Sequence, residues 1–314
     1  MECGIVLHEV GLRDGLQMEQ QVVPTERKID WIGRLLDAGI GMIQVGSFVH
    51  PEKVPQMADS DILLKELHAR GMLRTGVTFS ALVLNERGLD RGLAAGAGML
   101  CMGVSASETH SRKNTGMTIA EATGRIIAIA GAAEAAGLRV QLSVQSAFGC
   151  GYEGAVPRAR VLSIAREFFD AGFRTLSLAD TAGHATPDSV ERMFEGLREM
   201  SARSGATPGN GGEAAFACHF HNTYGLALAN CYAAWKAGVK YFETSIAGLG
   251  GCPFTKVAGG NACTEDLVHM LQRMGLMTNV GLEGLIALAG DVAAFFGRDL
   301  PGAVYRTGAV PEAG

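Results

Sequence analysis

"FFDAGFRTLSLADTAG", residues 168–183, carries the pattern that the rest of the chain repeats. Its first part closes a helix on Ala171-Gly172, and the glycine suits the left-handed position just past a helix C-terminus. An apolar strand follows within a few residues. The same order recurs in "LLDAGIGMIQVGS" (35–47), "LAAGAGMLCMGVSAS" (93–107), "AEAAGLRVQLSVQSA" (133–147) and "AWKAGVKYFETSIAG" (234–248), with Gly39, Gly96, Gly137 and Gly238 at the equivalent place. Helix interiors show apolar spacing of three and four, as at Ile29, Ile32, Leu35 and Leu36. Helix starts are marked as well. Thr118 to Glu121 reads as a capping box, and Pro187 follows Thr186.

Three further strands, near Ile5 to Val10, in "VTFSALVLN" and in "AAFACHFHN", bring the total to eight. Alternation of this kind over roughly 250 residues predicts a (β/α)8 TIM barrel. The barrel should occupy about residues 1–275 and an extra C-terminal helical region about 276–314, with residues 1–314 as a single domain. A doubly wound sheet is the competing fold, but no Gly-x-Gly-x-x-Gly follows the first strand. "SGATPGNGGEA" (204–214) reads as a loop insertion on the helix-to-strand side, away from the functional face.

Composition narrows the partners. The chain has 314 residues, 47% hydrophobic and 19% charged, with a net charge of −5. That supports a large core and disfavours disorder. Without a dense Lys/Arg block, a nucleic-acid partner is disfavoured. No apolar run reaches the roughly 18 residues of a membrane span, and the strand-like N-terminus leaves no room for a leader. The seven cysteines form no C-x-x-C pair, which fits free thiols in a reducing cytoplasm.

Barrel chemistry sits at the C-terminal strand ends. Strand one runs into Arg13 and Asp14, strand two into Gln44, Ser47 and His50, strand six into Asp180, strand seven into His219 and His221. Strand eight runs into the glycine-rich "SIAGLGGCPFTKVAGGN" (245–261), which holds Cys252 and ends on Asn261. His219 and His221, two apart on a strand, share a face. A core histidine pair is the plain reading of that spacing. With the Asp14 carboxylate and the Asn261 amide oxygen at the same rim, the four make a mixed N/O set suited to Mg²⁺ or Mn²⁺. Arg13 should reach into the mouth; Asp180 is either a loop carboxylate or an inward one. His8, Glu9 and Glu19 read as structural, Cys218 and Cys263 as buried small residues, and His50 as a loop residue.

These motifs resemble 3-hydroxy-3-methylglutaryl-CoA lyases of the DRE-TIM metallolyase superfamily. The match is carried by "VGLRDGLQ" (10–17), "SFVHPEKVPQMAD" (47–59), "HFHNTYG" (219–225) and "SIAGLGGCPF…GGNACTEDL" (245–267). The resemblance implies a divalent metal on Asp14, His219, His221 and Asn261. It implies a catalytic arginine at Arg13, an aspartate at Asp180 and an active-site cysteine at Cys252. It also implies a small-molecule acyl-CoA substrate, with coenzyme A entering as part of it, and a homodimer. The family reaction splits hydroxymethylglutaryl-CoA into acetyl-CoA and acetoacetate. Three departures stand out: Gln44 replaces a glutamate, Gln20 a lysine near the CoA entrance, and Asp291 an asparagine. They keep two alternatives open: a related lyase acting on citramalyl-CoA or another branched hydroxyacyl-CoA, and an idle homologue that binds metal and acyl-CoA without turnover.

The residues suit a retro-aldol cleavage. A metal activates the hydroxyl, Asp180 or His219 receives its proton, Arg13 stabilises the thioester enolate, and the Cys252 thiol protonates the enolate carbon.

Overall fold

The computed structural model describes residues 4–203, 214–251 and 259–310. Eight parallel strands close into a barrel in sequence order: β1 (Val6–Glu9), β2 (Met42–Ser47), β3 (Thr78–Leu82), β4 (Met99–Ser105), β5 (Arg139–Gln145), β6 (Thr175–Asp180), β7 (Ala215–Phe220) and β8 (Tyr241–Thr244), with β8 paired back to β1. Helices α1 (Thr25–Asp37), α2 (Ser60–Ala69) and α3 (Glu86–Ala95) follow the first three strands, and α4 (Glu108–Thr115) and α5 (Ile119–Ala135) both follow β4. Then come α6 (Arg158–Asp170), α7 (Pro187–Arg203), α8 (Ala227–Lys236) and α9 (Thr264–Arg273). This is the expected TIM barrel, not the doubly wound sheet.

The Ala-Gly signal works as expected. Gly39, Gly96, Gly137, Gly172 and Gly238 all take positive φ, between +78° and +101°. The Thr118–Glu121 capping box closes on α5. The insertion at residues 204–213 and Cys3 lie outside the described residues.

Strand parity divides the barrel into two environments. On β5, Val140, Leu142 and Val144 are buried toward the helices, while Gln141, Ser143 and Gln145 line the inner cavity. The interior floor is apolar, a cluster of Met42, Met99 and Cys101 with Val6 and Tyr241 packed on it. Polar groups sit above it: His8 meets Ser80 at 2.7 Å, and Ser177 and Gln141 both donate to Glu243. Barrel interiors are usually filled by branched apolar side chains, so this polar layer marks the working end.

Two late helices, α10 (Leu282–Phe296) and α11 (Val304–Thr307), follow the barrel. Trp31 of α1 meets Phe295 edge-on at 5.6 Å and donates its indole N–H to Asp291 Oδ2 at 2.8 Å. Arg34 lies 3.3 Å from the same carboxylate. Asp291 is therefore held by α1 as a packing residue, and its charge is met there by arginine.

Candidate active site

After Glu9 the chain turns through a single wide helical turn, Gly11–Gly15. The N–H groups of Arg13, Asp14 and Gly15 all converge on the Val10 carbonyl. The turn is tight because Gly11 is small: a Cβ there would stand 2.5 Å from Glu9 Oε1. It projects Arg13 and Asp14 over the barrel mouth. Arg13 Nη1 lies 2.5 Å from Asp14 Oδ1, and Arg13 Nε donates to Gln44 Oε1. Gln44, the departure from the family's glutamate, thus still orients the guanidinium, without neutralising it.

His219 lies one residue before the end of β7, facing inward, and His221 follows just beyond the strand. Their Nε2 atoms are 3.0 Å apart, and Asp14 Oδ2 lies 3.8 Å from the first and 3.9 Å from the second. The far end of the glycine-rich segment is stitched to β7: Ala262 N–H donates to Phe220 O, and Asn222 N–H to Gly260 O. Such an approach needs glycine at 260, where a Cβ would lie 1.8 Å from Gly248 O. Stitching puts Asn261 opposite His221. Its Nδ2 donates to Asp14 Oδ2 at 2.9 Å and to Leu249 O at 3.0 Å, and its buried Oδ1 has no hydrogen-bond partner among the described residues.

Behind His219 stands Glu243 of β8, its register partner. Nδ1 of His219 lies 3.1 Å from Glu243 Oε2, so neutral His219 donates there and turns its Nε2 lone pair to the site. A carboxylate backing a histidine in this way fixes its tautomer as a metal ligand. Two imidazole nitrogens, a carboxylate oxygen and an unpartnered amide oxygen, converging from three separate segments, fit a divalent cation.

Burial alone would raise Asp14, but the charges of Arg13, His219 and His221 and the Asn261 hydrogen bond outweigh it and hold the carboxyl far below its usual range. Burial and the neighbouring His219 push His221 down to about 4, so it stays neutral. Burial also works against charge on His219, yet the Glu243 hydrogen bond and the Asp14 charge raise it overall. Glu243 would be raised by burial, but His219 draws it down to about 2.

Asp180 departs from the inward reading. Adjacent Ala179 and Thr181 line the cavity; Asp180 points the other way. It is fully buried, and its two oxygens accept the N–H groups of His184 at 2.8 Å and Ala185 at 2.9 Å. Burial raises it to about 6 against those bonds. In this position it caps the β6–α7 loop and does not line the cavity. Cys252 lies outside the described residues, while Gly251 lines the cavity beside it in sequence. Cys218 and Cys263 are buried and His50 is an exposed loop residue, as expected. Gln20 lines a neighbouring groove with Arg298, and that groove shares Met18 and Gly251 with the main cavity.

Sequence reasoning missed Glu243 and Gln141. Each is a polar residue inside an apolar strand, in step with the inward positions, and that parity was the available signal.

The family described as HMGL-like matches residues 5–292. Hydroxymethylglutaryl-CoA lyase of Bacillus subtilis (strain 168) is 40% identical over 299 residues, covering 95% of each chain. The Pseudomonas mevalonii hydroxymethylglutaryl-CoA lyase is 38% identical over 293 residues, covering 93% of each. Among solved structures, an HMG-CoA lyase from Acinetobacter baumannii in complex with coenzyme A and 3-methylmalate superposes with a TM-score of 0.88 at 33% identity, covering 99% of this chain and 98% of that one. No helix among the described residues is long and apolar enough to cross a membrane. With its barrel closed, its Asp-His-His cluster formed and its length matched almost end to end, the chain belongs to the HMGL-like family and is a hydroxymethylglutaryl-CoA lyase-like enzyme.

Proposed function

We propose that the chain cleaves hydroxymethylglutaryl-CoA to acetyl-CoA and acetoacetate. The observation that carries this reading is the convergence of Asp14, His219 and His221, whose ligand atoms lie within 4.8 Å of one another, at the mouth of a barrel matched nearly end to end by lyases. Asp14, His219, His221 and Asn261 would hold the cation, Mg²⁺ or Mn²⁺ by the hardness of the set. When bound, it supplies Lewis acidity at the substrate's hydroxyl and fixes the substrate's orientation.

The chain's own groups do the rest. Arg13, pinned by Asp14 and Gln44, stabilises the thioester enolate oxygen as charge develops there. With Asp180 turned away, His219 Nε2 is the proton acceptor of choice for the hydroxyl, and Glu243 stabilises the resulting imidazolium at Nδ1. Nε2 is also a ligand atom and serves one duty at a time; Asp14, His221 and the Asn261 oxygen are the other holders. A thiol with an ordinary pKa near ~8.5 is protonated at neutral pH, so Cys252 delivers the proton to the enolate carbon. We assign residues 1–314 to one such lyase unit. Family resemblance supports a homodimer, and free thiols support the cytoplasm.

A panel of hydroxyacyl-CoA thioesters, assayed with Mg²⁺ and with Mn²⁺, tests this. Release of acetyl-CoA and acetoacetate from hydroxymethylglutaryl-CoA is expected. Faster cleavage of citramalyl-CoA would transfer the assignment to the related lyase, and binding without any turnover would make the chain an idle homologue.

A further inference from the structure

The turn after β8, Ile246–Gly248, contains a strained residue. Ala247 is fully buried and left-handed, at φ +55° and ψ 11°, and Gly248 follows it at φ +67°. Glycine takes that region freely; a residue with a Cβ holds it only where its surroundings impose it. Here they grip the residue from both sides. The Ala247 N–H donates to Oε2 of buried Glu265 on α9 at 3.0 Å, and its carbonyl accepts the Gly302 N–H at 2.9 Å. Gly302 belongs to the segment between α10 and α11, which is moored to the next residue of α9. There Asp266 accepts the N–H groups of Ala303 at 2.9 Å and Val304 at 2.7 Å. The fit is close: a Cβ on Gly302 would stand 2.7 Å from Glu265 Oε1, and one on Gly248 would stand 3.2 Å from Gly302 N.

Two residues past Ala247, the Leu249 carbonyl accepts Asn261 Nδ2 at 3.0 Å. The same nitrogen donates to Asp14 Oδ2, and an amide held by its nitrogen has the direction of its oxygen set as well. Resting on Asn261 as a cation ligand, we infer that Glu265 and Gly302 are positioning residues for the cation site. They clamp Ala247 in the left-handed region and so place the Leu249 carbonyl that orients Asn261. Without the clamp Ala247 relaxes to negative φ, and the carbonyl two residues on swings away from the amide. The chain beyond the barrel thereby takes part in holding the ion without touching it.

The test is a calorimetric titration of the full chain with Mn²⁺, beside circular dichroism of each variant. Glu265→Ala should weaken binding by about 10–100-fold, the range for groups that orient a ligand. Glu265→Gln, whose amide oxygen still accepts the Ala247 N–H, should keep wild-type affinity. Glycine holds the left-handed region unaided, so adding Ala247→Gly to Glu265→Ala should recover most of the loss, which it could not do for a packing fault. Should Glu265→Ala fail to fold, Asp266→Ala loosens the same clamp from the Gly302 side; it should weaken Mn²⁺ binding, and Ala247→Gly should repair it likewise. Wild-type affinity in whichever of the two folds, or a loss that Ala247→Gly leaves unrepaired, overturns the inference. Asn261→Ala separates the two readings. If it binds Mn²⁺ as wild type does, the ligand assignment fails and takes the inference with it. If it binds weakly while Glu265→Ala binds normally, only the clamp is rejected.

Discussion

At the scale of single residues, the His219–Glu243 pair explains more of the site than any ligand alone. Glu243 holds Nδ1 at 3.1 Å and is itself held by Gln141 and Ser177. Glu243→Gln keeps the shape and removes the charge. Partners of this kind tune metal affinity by about 10–100-fold, so the variant should lose affinity on that order in a metal titration while its circular dichroism stays that of wild type. Asp180 makes the contrasting case. If it caps the loop after β6, Asp180→Asn should lower Tm and leave kcat within about threefold, since the hydrogen bonds lost to a charged acceptor are each of order 1.5–3 kcal/mol. A thousandfold loss of kcat at unchanged Tm would restore it to catalysis. Cys252→Ser should collapse turnover while metal content holds; a variant turning over normally would remove the thiol from the mechanism.

At the scale of elements, Glu9 joins three of them. One oxygen accepts Gly11 N–H at 2.8 Å and Ile246 N–H at 2.9 Å, and the other accepts the Thr264 hydroxyl, tying the end of β1 to the turn after β8 and to the start of α9. Burial pushes this carboxyl up to about 7 against those bonds. Below pH 4.5, folded and unfolded chains both bind the proton and stability is full. As pH rises from 4.5 to 7 the unfolded chain ionises first, and stability falls. In Glu9→Gln the amide oxygen keeps the backbone bonds and its NH₂ turns to Thr264, whose hydroxyl can donate to Thr244 at 2.9 Å. Wild type should therefore lose on the order of 3 kcal/mol, or about 5 °C of Tm, against this variant across that window. Parallel melting curves would refute the latch. The elements were legible where local chemistry dictates them: Ala-Gly ends a helix whatever surrounds it, so Gly39 or Gly172 could be read alone. His219 and His221 were legible because their spacing sets their facing. Glu243 and Gln141 were not, because a polar residue in a strand acquires meaning only once register sets it beside another strand. Asp180 stayed open between loop and cavity for the same reason, since one step of parity separates the two.

At the scale of the whole molecule, the cation and the fold are separable. The barrel is closed by eight strand pairings and by a core between strands and helices built from apolar side chains rather than from the ligand residues. Asp14 and Asn261 are hydrogen-bonded to each other directly, and His219 to Glu243, so the donors are arranged by protein contacts alone. This differs from small metal domains, which unfold when the ion is removed. Chelation should then abolish turnover while the far-ultraviolet circular dichroism stays that of a folded barrel, and adding Mg²⁺ or Mn²⁺ should restore activity. Because the ion binds the folded chain, Tm should climb with its concentration: about 2.7 kcal/mol at a hundred times Kd, on the order of 5 °C for a chain this long. In His221→Ala, which removes one donor and leaves the strand pairing intact, the dependence of Tm on the cation should flatten. A melting curve in that variant that still tracks cation concentration as wild type does would place the ion elsewhere, and the paired histidines would return to being core residues.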